Sequence, residues 1–188
     1  MTGKTALILV DVINDFFDPQ GPNYYESVTQ TVDPLHQLLD AARASEALVV
    51  HAVERHRLGV ADAEQPKLPV HCLEGSFEAD FFPGFEPAER ANEVVVPKRR
   101  YSSFFGTDLA LLLHEQRIER ILVAGVKTNV CIRATSQDGF ANGFEVLVPR
   151  ESTNSNRPQL EEASIEDITR YFGSVPSVAE ATAALRGQ

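Results

Sequence analysis

Short runs of aliphatic and β-branched residues alternate along the chain with longer stretches in which apolar side chains recur at helical spacing. The short runs predict strands at residues 5–11, 47–53, 93–97, 120–125 and 144–148. The longer stretches predict helices at residues 28–45, 106–116, 129–142, 158–172 and 177–185. Because strands that alternate with helices are typical of βαβ units, the pattern predicts an α/β protein with a mainly parallel sheet.

One long stretch shows neither the short apolar runs of strands nor the helical spacing of apolar residues. Residues 55–92 are rich in Pro, Gly, His and Phe and come directly after the second predicted strand. A loop of this length in a compact domain is usually functional, and open α/β sheets bind ligands at the carboxyl ends of their strands. The chain has no internal repeat or low-complexity linker, so we expect residues 1–188 to form a single domain.

Composition and charge narrow the class of protein. Among the 188 residues, 43% are hydrophobic and 23% are charged, which is ordinary for a soluble globular protein. The formal net charge of -10 argues against nucleic acid and anionic membranes as partners, because both attract basic surfaces. No apolar run has the length of a signal peptide or a membrane span. The cysteines, Cys72 and Cys131, form no disulfide framework, so we expect a reducing cytoplasm.

Residues suited to acyl transfer stand at the ends of predicted strands. Asp11 closes the first strand, Lys98 follows the third, and Cys131 lies where a helix begins after the fourth. The helix N-terminus and the lysine would favour a thiolate at Cys131, while Asp11 would take and return a proton. The alternative is a core cysteine, a turn-capping aspartate and a solvated basic patch of Lys98, Arg99 and Arg100. Spacing alone leaves both interpretations open.

Three segments, in this order, resemble one family of enzymes. Residues 9–16 (LVDVINDF) are similar to the first strand of the isochorismatase-like cysteine hydrolases, residues 98–104 (KRRYSSF) to their lysine segment, and residues 125–131 (GVKTNVC) to their nucleophile turn. The family includes nicotinamidases, N-carbamoylsarcosine amidases, and ureidoacrylate and biuret amidohydrolases. The similarity extends over almost the whole chain.

The resemblance implies a three-layer αβα, Rossmann-like fold and a catalytic triad of Asp11, Lys98 and Cys131. It also implies a thioester intermediate and release of ammonia or an amine. A cis peptide bond before Lys127 and an oxyanion hole formed by the backbone N–H groups of Lys127 and Cys131 follow from the same resemblance. Two positions depart from the family pattern: Ile13 stands where Gln is frequent, and Lys127 where Ala is frequent. The resemblance further implies a homo-oligomer.

A metal site is the second expectation that comes from the resemblance. Glu54, His56 and His71 resemble in order the metal ligands of nicotinamidases, although Glu replaces the usual Asp. A carboxylate with two imidazoles suits zinc, manganese or iron. The alternative is that the histidines hold the loop by hydrogen bonds without a metal. The triad chemistry itself requires no cofactor.

The substrate is expected to be a small carboxamide or N-carbamoyl compound whose C–N bond is cleaved. Phe16, Tyr101 and Phe104 lie close in sequence to the triad and are candidates to line its pocket. The alternative is core packing for Phe16, and a helix-entry turn with aromatic packing for Tyr101 and Phe104. Thr128 and Asn129 are predicted to cap the helix that follows them. The alternative functions are a nicotinamidase with a metal, a vinyl ether hydrolase of the isochorismatase type, and a non-catalytic oligomeric binding protein.

Overall fold

A parallel sheet forms the centre of the computed structural model, which describes residues 4–64 and 66–187. Its strands are β1 (Lys4–Val10), β2 (Leu48–Glu54), β3 (Glu93–Lys98), β4 (Ile118–Val126), β5 (Glu145–Leu147) and β6 (Thr153–Asn154). The order across the sheet is β3-β2-β1-β4-β5, and β6 pairs with the carboxyl end of β4. Residues 1–3, Gln65 and Gln188 of the predicted domain lie outside the described residues.

The predicted strands agree closely with β1 to β5, and their pairings are parallel as expected. The strand β6 was not predicted, because its 2 residues are too few to establish a pattern. Its position matters, since it pairs with Gly125 and Val126, at the start of the predicted nucleophile turn.

Helices flank the sheet at nearly the predicted places: α1 (Asn14–Phe17), α2 (Val32–Ala44), α3 (Leu109–Glu115), α4 (Arg133–Ala141), α5 (Pro158–Asp167) and α6 (Val178–Leu185). The predicted helix at 28–45 starts instead as a 3-10 segment, Glu26–Thr31. Wider π-helical turns occupy Thr128–Ile132, before α4, and Ile168–Phe172, after α5. Within the described ranges, no helix has the length and apolar character needed to cross a membrane.

Both faces of the sheet are covered, and β1 shows how the sequence specifies this. Successive side chains of a strand point to opposite faces. Leu7 packs in the cluster that contains Leu35 of α2, whereas Ile8 packs in the cluster that contains Leu109 of α3. A strand buried on both faces is an unbroken apolar run, as residues 6–10 are. Burial of Leu7 and of Ile8 contributes about 2 kcal/mol each to stability. The packing of helices on both faces of the sheet confirms the three-layer αβα architecture.

The parallel arrangement brings the carboxyl ends of the strands to one edge of the sheet. Asp11 follows β1, Glu54 ends β2, Lys98 ends β3 and Lys127 follows β4. The first part of the loop, residues 55–81, stays at this edge, because His56 bridges to Leu73 and Ile13 to Phe81, and the rest returns to the start of β3. The fold therefore gathers the predicted chemical groups under the long loop.

Candidate active site

Asp11, Lys98 and Cys131 lie in contact at the carboxyl edge of the sheet. The Nζ atom of Lys98 is 2.8 Å from Oδ2 of Asp11 and 3.6 Å from Sγ of Cys131. All of these residues are buried. They come from three different strand ends, so the parallel sheet accounts for their meeting.

The carboxylate of Asp11 is held by the end of β2. Its Oδ1 accepts a hydrogen bond from the backbone N–H of Glu54 at 2.7 Å. The backbone N–H of Asp11 donates to the carbonyl of Ala52 at 2.9 Å. Asp11 has a φ of 55°, in the left-handed region that aspartate tolerates better than most residues. Burial raises the pKa of Asp11 to about 6, although the Lys98 ammonium opposes the rise. The group is therefore ionised at neutral pH and able to exchange a proton.

Burial and neighbouring charges favour a charged Lys98 and a neutral Cys131. Burial disfavours the ammonium, but the negative charges of Asp11 and Glu54 raise the pKa of Lys98 well above its usual range. Burial also raises the pKa of the Cys131 thiol well above its usual range, which the Lys98 charge offsets only in part. This differs from the thiolate expected from the sequence, because burial outweighs the nearby lysine. A protonated thiol must lose its proton as it attacks.

The turn that holds Cys131 is wider than an α-helical turn. The carbonyl of Lys127 accepts hydrogen bonds from the N–H groups of Val130 at 3.0 Å and Ile132 at 3.3 Å. The peptide bond between Val126 and Lys127 is cis, as the resemblance implies. In the described part of the chain, the N–H of Lys127 donates to no other backbone group. It is therefore available to a ligand.

The prediction that Thr128 and Asn129 cap this turn is wrong. The hydroxyl of Thr128 lies 2.8 Å from that of Thr153, and the Oδ1 atom of Asn129 accepts a hydrogen bond from Ser155 at 2.7 Å. Both side chains therefore tie the nucleophile turn to the segment around β6. The sequence provides no signal for this, because about 25 residues separate the partners.

A cavity of about 140 Å³ opens onto Cys131. It is lined by Phe16, Asn23, Glu54, Leu68, His71, Tyr101, Lys127, Val130 and Cys131. Phe16 and Tyr101 thus lie where the sequence predicts, whereas Phe104 does not line this cavity. Phe104 is buried and stacks on Phe144 with ring centroids 6.0 Å apart, which is the aromatic packing expected in the alternative.

A larger cavity of about 420 Å³ lies at the opposite edge of the sheet, beside Lys4 and Ile118. The described residues that line it include no cysteine and no histidine. The smaller cavity is the candidate substrate site, because only it contains the thiol and the groups around it.

Glu54, His56 and His71 also come together, and their arrangement fits a divalent metal. The Nε2 atoms of His56 and His71 lie 3.1 Å and 3.7 Å from the Glu54 carboxylate. The Nδ1 atom of His56 faces Asp62 at 3.1 Å, and that of His71 faces the Pro69 carbonyl at 2.7 Å. Metal-binding histidines are usually oriented in this way, with the second ring nitrogen held by an oxygen.

Glu64 is a buried carboxylate beside this cluster that the sequence does not predict. It is buried and lines a small space with His56 and His71, and neither of its carboxylate oxygens has a hydrogen-bond partner among the described residues. Its nearest opposite charge is Arg100, whose Nη1 lies 3.9 Å from Oε1, so a cation nearby would further offset the cost of burying the carboxylate. Its position ten residues beyond Glu54, inside an irregular loop, follows no spacing that would reveal it.

Comparison with known proteins agrees with the fold and identifies the family. Residues 5–180 match the isochorismatase domain model. The maleamate amidohydrolase of Pseudomonas putida is 33% identical over 189 residues, covering 97% of this chain and 87% of that protein. An isochorismatase-like hydrolase from Alkaliphilus metalliredigens superimposes with a TM-score of 0.89 at 32% identity, covering 96% of this chain and 98% of that one. The nicotinamidase of Bacillus subtilis superimposes with a TM-score of 0.87 at 28% identity, covering 93% of this chain and 99% of that one.

The chain therefore belongs to the isochorismatase family. This confirms the resemblance stated from residues 9–16, 98–104 and 125–131. The names of the relatives support hydrolysis of small amides as the class of activity.

Proposed function

We propose that this protein is a cysteine amidohydrolase that cleaves the C–N bond of a small carboxamide or N-carbamoyl compound and releases ammonia. The observation that carries the proposal is the buried contact of Asp11, Lys98 and Cys131 beside a cavity of about 140 Å³. A thiol with an adjacent base is the arrangement needed for nucleophilic attack on a carbonyl.

In the first half of the proposed reaction, Asp11 takes the proton of the Cys131 thiol, since both groups contact the Nζ atom of Lys98. The sulfur attacks the amide carbon, and the N–H groups of Lys127 and Cys131 stabilise the oxyanion. Asp11 then gives the proton to the leaving nitrogen. The C–N bond breaks, ammonia departs, and a thioester with Cys131 remains.

In the second half, Asp11 takes a proton from water, which attacks the thioester carbon. The C–S bond breaks, the acid product leaves, and the proton returns to Cys131. The Lys98 ammonium stays charged throughout and stabilises whichever of its two neighbours is anionic. Because the pKa of Asp11 is about 6, the carboxylate is a strong enough base to take protons yet acidic enough to return them.

The direct test is ammonia release from nicotinamide, pyrazinamide, N-carbamoylsarcosine, ureidoacrylate, biuret and maleamate. The wild type is compared with Cys131→Ala, and Cys72→Ala is the control for loss of a buried thiol elsewhere. We expect activity on at least one compound, lost in Cys131→Ala and retained in Cys72→Ala. Activity that survives in Cys131→Ala would show that the nucleophile is another group.

A metal-dependent nicotinamidase is the second candidate function, favoured by the cluster of Glu54, His56 and His71. Glu54 and His71 also line the substrate cavity, so a metal held by this cluster would face the substrate. When bound, such an ion acts as a Lewis acid that can hold a ring nitrogen. Glu54, His56 and His71 would be its ligands.

Metal content measured by mass spectrometry after dialysis against Zn²⁺, Mn²⁺ or Fe²⁺ tests this candidate. We expect one ion per chain in the wild type and loss of that ion in His71→Ala, because two imidazoles supply the strongest neutral ligands. His114→Ala is the control, since His114 lies on α3, outside the cluster. Equal metal content in all three proteins would contradict the site.

A further inference from the structure

Lys127 places a positive charge in the substrate cavity without a carboxylate partner. The residue is half-buried and lines the cavity together with Cys131. Among the described residues, no aspartate or glutamate forms an ion pair with it. A charge removed in part from water is normally paired, so this lysine needs an explanation.

The protein groups around the ammonium are mainly aromatic. Its Nζ lies 5.5 Å from the centre of the Phe16 ring and 5.2 Å from that of Tyr25. Contacts of this kind orient a lysine but supply no net negative charge. Burial lowers the pKa of Lys127, Asp15 opposes this effect, and Arg157 adds positive charge nearby.

The acidic groups nearest the cavity make their closest contacts elsewhere. Oδ2 of Asp15 accepts a hydrogen bond from Asn23 at 2.8 Å, while its buried Oδ1 has no hydrogen-bond partner among the described residues. The carboxylate of Glu54 faces His56 and His71. Neither of these acids is an ion-pair partner of Lys127. An anionic group of a bound substrate would therefore be the direct counter-charge for the ammonium.

We propose that Lys127 binds the carboxylate of the substrate, so that the preferred substrates are small amides or N-carbamoyl compounds that carry a free carboxylate. This inference rests on the proposed function of the same site and adds the charge of its substrate. Lys127 precedes Cys131 by four residues and lines the same cavity of about 140 Å³. The carboxylate and the scissile amide must therefore belong to one short molecule.

The expected discrimination follows from the cost of an unpaired charge. A charge-assisted hydrogen bond in a partly dehydrated site favours the anionic ligand over its neutral counterpart by about 10- to 100-fold. A neutral amide of the same size would occupy the cavity but leave the ammonium unpaired. Lys127 is in this sense a residue that determines specificity, separate from the chemical step.

Calorimetric binding to the Cys131→Ala protein tests the inference without turnover. The ligands are succinamate and N-carbamoylglycine, each compared with its neutral counterpart, succinamide and N-carbamoylglycinamide. The same titrations are made with Cys131→Ala combined with Lys127→Met, which keeps the length of the side chain but removes the charge. Lys127→Arg retains the charge, and Lys4→Met is the control for loss of a surface charge at the opposite edge of the sheet.

We expect at least one anion to bind Cys131→Ala about 10- to 100-fold more tightly than its neutral counterpart. Lys127→Met should abolish this preference, Lys127→Arg should retain most of it, and Lys4→Met should not change it. Failure of both anions to bind, or a preference that persists in Lys127→Met, would overturn the inference. Circular dichroism confirms that each variant is folded.

Steady-state kinetics separates this inference from the proposed function. If the wild type hydrolyses amides but Lys127→Met leaves the ratio of kcat/KM for charged and neutral amides unchanged, the proposed function stands and the inference fails. If the anions bind in a Lys127-dependent way but no amide is hydrolysed, Lys127 is a carboxylate-binding residue and the proposed function fails.

Discussion

Asp11 joins structure and chemistry in a single side chain. Its backbone closes β1 in a left-handed conformation, one carboxylate oxygen is fixed by the N–H of Glu54, and the other contacts Lys98. A base oriented from both sides loses little entropy when it transfers a proton. This arrangement explains how one aspartate can serve both halves of the proposed reaction.

We expect Asp11→Asn to lower kcat/KM by about 10²- to 10⁴-fold, because an amide cannot accept the thiol proton. The hydrogen bond from Glu54 can still form to the side-chain oxygen, so the fold should remain. Ammonia release and circular dichroism measure the two effects. Asp40→Asn, on the exposed side of α2, is the matched control. Activity within a factor of about two of the wild type would remove Asp11 from the mechanism.

At the scale of elements, the end of β4 positions the nucleophile turn. Gly125 pairs with Val10 of β1 on one side and with Thr153 of β6 on the other. Its φ is +118°, and a Cβ at this position would lie 2.1 Å from the carbonyl oxygen of Val10. Only glycine fits here without movement of the backbone that leads to Cys131.

Gly125→Ala should lower the free energy of unfolding by about 3 kcal/mol or more, since backbone strain and steric overlap add. The control is Gly143→Ala, at a φ of +88° with no atom within 4 Å, where only strain of about 1 kcal/mol is expected. Urea unfolding measures both. Equal losses in the two variants would show that the close approach to Val10 is unimportant.

At the scale of the whole molecule, Glu93 connects the helical layer to the sheet. It begins β3 and accepts hydrogen bonds from Arg43 of α2 at 2.7 Å and from the backbone of Ala88 at 3.1 Å, and it lies 2.8 Å from Nε2 of His51 in β2. Burial opposes its ionisation, but Arg43 and His51 lower the pKa of Glu93 to about 2. The carboxylate is therefore a source of stability that depends on pH.

The sign of this dependence follows from the two pKa values. Because the pKa of about 2 in the folded state lies below the ordinary value of 4.5, the contribution is complete above pH 4.5 and is lost as the pH falls toward 2. We expect Glu93→Gln to be less stable than the wild type by on the order of 2 kcal/mol at pH 7 and equal to it near pH 2.

Urea titrations at several pH values test this expectation. Glu115→Gln, at the exposed end of α3, is the control for removal of a carboxylate. A difference between Glu93→Gln and the wild type that stays constant with pH would mean that the carboxylate is not held in its ionised form.

The sequence by itself determined the architecture and the candidate residues of the site. An unbroken apolar run such as residues 6–10 requires burial on both faces, and alternation with helices requires parallel strands. Parallel strands end at one edge, so Asp11, Lys98 and Cys131 were expected to be neighbours before any contact was known. These conclusions rest on patterns within short segments of the sequence, which can be seen without knowing what packs against each segment.

Only the tertiary structure decided the properties that depend on residues distant along the chain. Burial raises the pKa of the Cys131 thiol, and Lys127 has no ion-pair partner among the described residues. Glu64 lines a small space with His56 and His71, which it reaches through an irregular loop. Phe104 likewise points into the core rather than the cavity. The burial of a side chain and the charges that act on it depend on all the residues packed around it. Most of these residues are distant in sequence, so no local spacing predicts their combined effect.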